Sequence, residues 1–278
     1  MRARSWTIGA LLAAGALLVG ACQTTGGAAS GPPCAERPIA DWVDGAGTCL
    51  SLATFGAADA GPAPTLVVLL HGDVSRGGAA DYHVPYAEQI GSRAGTIAVA
   101  LVRPGYPDGR GTASGGSHSG RRDHYTDENN RVVAEAIAAL KRVHDPARTV
   151  ILAHSGGSAQ AGTIIGRYPG LADAALLVSC PCDVPRWRRM KNRSAWTRSQ
   201  SPQEFADSVA AATQVVAVTG ANDGNTDPVL AQDYIAALAA RGLDARFVEA
   251  PGASHSFSTL WPTVEEELSS VLDKPGAS

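Results

Sequence analysis

Three side chains of this 278-residue chain could combine in nucleophilic chemistry: a serine, a histidine and one of two aspartates. Ser155 stands in Ala153-His154-Ser155-Gly156-Gly157. Before it runs Thr149-Val150-Ile151-Leu152, and after it Ala159, Ala161, Ile164 and Ile165 recur at helical spacing. A serine at the tip of such a turn has its hydroxyl pushed out of the sheet edge, and its neighbours must be small because strand and helix pack closely there. A hydroxyl is a poor nucleophile at neutral pH; it needs a base, and the base needs a third group to orient it. His255 is offered by the small-residue loop Pro251-Gly252-Ala253-Ser254-His255, and Asp223 and Asp227 by the loop running from Gly220 to Pro228. The plainer reading of Ser155 alone is a helix N-cap at an ordinary strand-to-helix turn.

The elements that must position these groups alternate along the chain. Thr65–Leu70, Thr96–Val102, Ala174–Ser179 and Gln214–Thr219 are short apolar runs, the pattern of strands covered on both faces. Cys49–Phe55 reads as an early strand and Ala245–Glu249 as the last. Between them, Asp81–Arg93, Thr126–Val143, the stretch after Ser155, and Pro228–Arg241 have helical spacing, and Val264–Leu272 closes the chain. Alternating strands and helices predict an α/β fold with a mostly parallel central sheet and helices on both faces. Arg103–Thr126 reads as a long loop whose start leaves a parallel strand at the ligand-binding edge of the sheet, so Arg103 and Tyr106 are expected to line the substrate site.

With these residues in view, the chain resembles the α/β-hydrolase family. Ser155 matches the Gly-x-Ser-x-Gly elbow, with Ala153 in place of the first glycine. Serine, aspartate and histidine follow in that family's order, each after a strand. The resemblance implies a triad of Ser155, Asp223 and His255; Asp223 fits the family's Gly-x-x-Asp register, while Asp227 before Pro228 reads as a helix cap. It also implies an oxyanion hole made by the backbone amides of Asp73, in His71-Gly72-Asp73 after a strand, and Gly156, after the nucleophile. The family's insertion after the sixth strand falls at about 181–212 and carries Trp187 toward the site, within a basic run from Arg186 to Arg198. A solvated helix face is the other meaning of such a run. The surroundings of His71 and Ser155 look most like the prolyl-oligopeptidase-like and esterase branch, without a propeller domain. The activity implied is cleavage of a small ester or a short peptide. The alternative is a catalytically silent binding lipoprotein on the same fold.

Residues 1–21 have the layout of an export signal: Arg2 and Arg4, then an apolar run from Ile8 to Val19. Small residues lead into Cys22, which resembles a bacterial lipoprotein processing site; a plain cleaved signal is the alternative. Residues 22–33 then read as a flexible tether, and 34–278 as one domain. The expectation is a membrane anchor at Cys22 on a cell-envelope protein. Lipidation of one of five cysteines leaves Cys34, Cys49, Cys180 and Cys182, an even set for an oxidising compartment. Cys34 and Cys49 flank a glycine-rich turn and are expected to pair. Cys180 and Cys182 predict a structural disulfide, with each other or with the N-terminal pair; no Cys or His cluster completes a zinc site around them. A net charge of −3 argues against a general nucleic-acid role, and no phosphate loop or dinucleotide fingerprint calls for a cofactor.

Overall fold

The computed structural model of the chain describes residues 33–274. The leader, Cys22 and nearly all of the tether lie outside the described residues. Eight strands form one sheet: β1 (Trp42–Gly45), β2 (Thr48–Phe55), β3 (Thr65–Leu70), β4 (Thr96–Leu101), β5 (Arg148–His154), β6 (Ala174–Val178), β7 (Gln214–Gly220) and β8 (Ala245–Ala250). Their spatial order is β1-β2-β4-β3-β5-β6-β7-β8. β1 and β2 pair antiparallel, as do β2 and β4; every later pair is parallel.

The side-chain alternation of the central strands explains the layers. Leu66, Val68 and Leu70 of β3 face one core, with Ile151 of β5, and Val67 and Leu69 face the other, with Val150 and Leu152. Helices α2 (Asp127–His144), α3 (Gly156–Arg167) and α5 (Pro228–Ala240) cover the first face. Helices α1 (Val84–Gly91) and α6 (Phe257–Leu272) cover the second. Two helix starts have a clear local cause. The Thr126 hydroxyl accepts from the Asn129 amide at 3.2 Å, and Asp227 accepts from the Val229 amide at 3.0 Å ahead of Pro228. Such a cap is worth about 1 kcal/mol.

Two elements differ from what their residues suggest alone. The last helix begins at Phe257, seven residues before Val264, and runs through Pro262. Burial of Phe257, Leu260 and Trp261 against the sheet outweighs the backbone hydrogen bond that Pro262 cannot donate. The loop from Arg103 to Thr126 is ordered rather than structureless. Asp108 accepts from the amides of Arg110 and Thr112 and from the hydroxyls of Thr112 and Ser51, folding the loop back onto β2.

Register brings the turns to one edge. Leu70 pairs with Ala153, His154 with Val178, Val178 with Val218, and Gly220 with Ala250. The residues that follow each strand, 71–73, 155–157, 179–183, 221–226 and 251–255, therefore line the carboxyl edge together. Cys34 is bonded to Cys49, tying the segment before β1 to β2, and Cys180 is bonded to Cys182 just beyond β6.

Candidate active site

Ser155 sits between β5 and α3 with φ 53° and ψ −119°, a backbone position that a side chain disfavours. The turn that follows it is tightly packed. A Cβ on Gly156 would overlap the Asp73 carboxylate and lie 2.5 Å from the Tyr125 hydroxyl; a Cβ on Gly157 would meet the carbonyls of His71 and Leu70 at 2.5 and 2.6 Å. Both glycines are required by close approach rather than by positive φ.

The structure brings Ser155, His255 and Asp223 together. The Ser155 hydroxyl donates to Nε2 of His255 at 2.9 Å, and Nδ1 of His255 donates to Asp223 at 2.8 Å. Asp223 also accepts the amides of Asn225 and Thr226, at 2.9 and 2.8 Å. Burial alone would push its carboxyl up; the hydrogen bond and charge of His255, with the Thr226 amide, hold it below the usual carboxylate range. Asp227 caps α5, away from His255.

The turn after β3 lies beside this chain. A Cβ on Gly72 would stand 3.1 Å from that of Ser155. Among the described residues, the amides of Asp73 and Gly156 donate to no protein acceptor. The Asp73 side chain turns inward and is nearly buried, with Oδ1 accepting from Arg103 at 2.8 Å and Oδ2 from Tyr125 at 2.6 Å. Burial opposes its charge, but His124, Arg103 and Tyr125 hold the carboxyl far below its ordinary range.

That network corrects two expectations. Arg103 and Tyr106 do not line the site; both are fully buried beneath it. Arg103 is consumed by Asp73 and by Gln160, at 2.8 and 2.9 Å. The Tyr106 ring packs under Arg103 and Arg121, and its hydroxyl meets His124 at 3.1 Å. A guanidinium leaving a strand beside a buried aspartate pairs inward, because an unpaired buried carboxylate is costly. Only the far end of the loop, Gly120–Arg122, reaches the cleft. Trp187, from helix α4 (Val184–Met190) between β6 and β7, does line it.

The cleft over Ser155 has a volume of about 1190 Å³. Its walls include Tyr82, Tyr86, Phe257 and Trp196, as well as five arginines. Tyr82 and His154 escaped the sequence reading, although an imidazole immediately before the serine is a visible signal. Nδ1 of His154 meets the Tyr82 hydroxyl at 2.6 Å, and Nε2 meets the His255 carbonyl at 3.0 Å.

No protein-family model and no curated protein matches the chain. Solved structures do. Est1E of Butyrivibrio proteoclasticus, with ferulic acid bound, superposes at TM-score 0.64 and 15% identity, over 83% of this chain and 97% of that one. A serine hydrolase without a lid from Xanthomonas campestris gives 0.57 at 16% identity, over 84% and 94%. A puromycin-hydrolyzing peptidase of Mycobacterium tuberculosis gives 0.64 at 20% identity, over 86% of this chain and 40% of its own, so the chain spans well under half of that protein. With the sheet order and the turn that holds Ser155, these likenesses define an α/β-hydrolase fold.

Proposed function

We propose that this protein is an exported serine hydrolase that cleaves carboxylic esters, with short peptides or amides as a close variant. One observation carries the reading: the unbroken hydrogen-bonded chain from Ser155 through His255 to Asp223, opening onto a cleft. In the first half-reaction Oγ of Ser155 attacks the ester carbonyl carbon while its proton passes to Nε2 of His255. The amides of Asp73 and Gly156 receive the oxyanion, each contributing about 3–4 kcal/mol in the transition state. The C–O bond to the alcohol then breaks, the alcohol leaves with the proton held on Nε2, and Ser155 remains acylated. Water repeats the sequence, releasing the carboxylic acid and restoring the hydroxyl. Asp223 keeps His255 in the tautomer that accepts at Nε2. A carboxylic acid bound in one structural neighbour and peptidase activity in another support both ester and amide bonds as candidates.

A fluorophosphonate probe tests this, because phosphonylation of an activated serine mimics the tetrahedral intermediate. The native protein should label and should turn over a short-chain p-nitrophenyl ester, while Ser155→Ala and His255→Ala abolish both. A folded protein that neither labels nor hydrolyses any ester or amide ends the reading and leaves a binding role.

We propose further that the protein is a cell-envelope lipoprotein anchored through Cys22. The support is the small-residue sequence before Cys22 and the pairing of the other four cysteines. Mass spectrometry of the exported protein should find an acylated Cys22 at the N-terminus; a mature end elsewhere without acyl mass overturns it.

A further inference from the structure

The cleft is lined by five arginines on three separate segments: Arg76 after β3, Arg121 and Arg122 at the end of the long loop, and Arg188 and Arg193 between β6 and β7. The one acidic side chain among its lining residues is Asp73, and that carboxylate is taken up beneath the floor by Arg103 and Tyr125. The chain as a whole carries −3. The positive lining is thus a local arrangement set against the net charge, and such a concentration in a concave, partly apolar site focuses its field on what enters.

Arg188 is the best-defined member. It is only 8% exposed. Its guanidinium lies 4.8 Å from the Trp196 ring and 5.4 Å from the Trp187 ring, and Nε donates to the Ser194 carbonyl at 2.9 Å. Its terminal nitrogens have no protein acceptor among the described residues, and no carboxylate is paired with it there. A nearly buried guanidinium without an anionic partner is costly to keep charged. Burial and the neighbouring Arg193 both work against that charge. The two rings and the Ser194 carbonyl fix the plane of the group, leaving its terminal edge for a ligand. Trp187 is itself pinned, with Nε1 donating to the Asn225 carbonyl at 2.9 Å, in the turn that holds Asp223.

We propose that Arg188 is a specificity-determining residue that binds a carboxylate on the substrate, so that the preferred substrates are esters carrying a second, free carboxylate. The planar fork of a guanidinium matches a carboxylate with two parallel hydrogen bonds. Arg193, Arg122 and Arg76 add attraction over longer range without fixing orientation. The inference rests on the hydrolase reading above and says which ester that site prefers.

The experiment compares mono-p-nitrophenyl succinate with p-nitrophenyl butyrate, close in size but differing in one carboxylate. In the native protein kcat/KM should favour the succinate ester by about tenfold or more, from charge-assisted hydrogen bonding to a partly desolvated arginine. Arg188→Gln should lower that ratio at least about tenfold, chiefly by raising KM for the succinate ester. Arg189→Gln, on the exposed side of the same helix, should leave the ratio unchanged and serves as the control for a surface charge. As a measurement that needs no variant, benzoate should inhibit butyrate-ester hydrolysis by the native protein at far lower concentration than benzamide does. That gap should narrow as salt rises from about 20 mM to about 500 mM. Equal turnover of the two esters, or equal inhibition by benzoate and benzamide, overturns the proposal while the hydrolase reading stands. Loss of fluorophosphonate labelling and of all turnover in the native protein removes the hydrolase reading instead.

Discussion

Tyr82 and His154 are joined by a hydrogen bond of 2.6 Å, and its direction is dictated by their other partners. Nε2 of His154 faces the carbonyl of His255, which only accepts, so Nε2 carries the proton and Nδ1 accepts from Tyr82. The Tyr82 oxygen in turn accepts the Gly72 amide at 2.6 Å. A three-link chain thus runs from the turn before the Asp73 amide to the backbone of His255. Tyr82→Phe leaves two polar groups without partners and loosens both ends. We expect kcat to fall by about ten- to a hundredfold with KM little changed, as misplacement on the ångström scale does. A variant with native kcat would show that the link is only structural.

Asp223 and Asp227 should separate cleanly. Asp223→Asn presents an amide to Nδ1 of His255 and favours the wrong tautomer, so turnover should drop by a factor on the order of 10⁴. Asp227→Ala removes a helix cap and should cost about 1 kcal/mol of stability with little effect on rate. Steady-state kinetics and urea unfolding on both variants decide; the opposite pattern moves the acid to Asp227.

Gly156→Ala tests the space beside Ser155. Its Cβ would press on Asp73 and Tyr125, both held by the buried Arg103 network. Overpacking of this kind costs about 1–3 kcal/mol, and here it should also end probe labelling by displacing the elbow. Gly224→Ala, with open space around the glycine, should do neither. Normal labelling of Gly156→Ala would mean that the turn can widen.

Acid should weaken the fold before the carboxylates titrate. Burial lowers His154 from 6.5 to about 3, with the His255 charge adding to it, and lowers His83 to about 4. Between those values and 6.5 the unfolded chain binds protons that the folded chain refuses, so stability falls as pH falls. The slope is on the order of 1.4 kcal/mol per pH unit for each group across its window. Asp73 and Asp223 are lowered as well, but in an acid that shift favours the charged form and stabilises the folded state. Their contribution is present above about pH 4 and is lost only as pH drops further, through their depressed folded values. Urea midpoints at several pH values from neutral to about pH 4.5 should therefore decline steadily; a flat profile would show that these histidines titrate normally in the folded protein.

What could be read without coordinates was what local pattern determines. The apolar runs of β3 to β7 are each buried on both faces, and Ser155, Asp223 and His255 each follow a strand, so their order already placed them on one edge. The errors lie where distant residues decide. Arg103 turned inward because Asp73, thirty positions earlier in the chain, was waiting beneath the site. Tyr82 and His154 meet across 72 positions, which no periodicity announces. The last helix reads from Val264 in the sequence, yet three buried aromatic and aliphatic side chains ahead of Pro262 start it at Phe257 and carry it through the proline.

The bond from Trp187 to the Asn225 carbonyl has a consequence for how such a protein can change. Asn225 also donates its amide to Asp223 and brings its side chain within 3.3 Å of His255. The segment carrying Arg188 and the turn carrying Asp223 are therefore joined through Asn225, and they do not form exchangeable modules. Such a segment transplanted from a relative would arrive without the matching turn, and its first effect would be on rate rather than on selectivity. Any change in what the cleft accepts, in a laboratory or in a genome, would have to move residues 184–196 and 223–226 together.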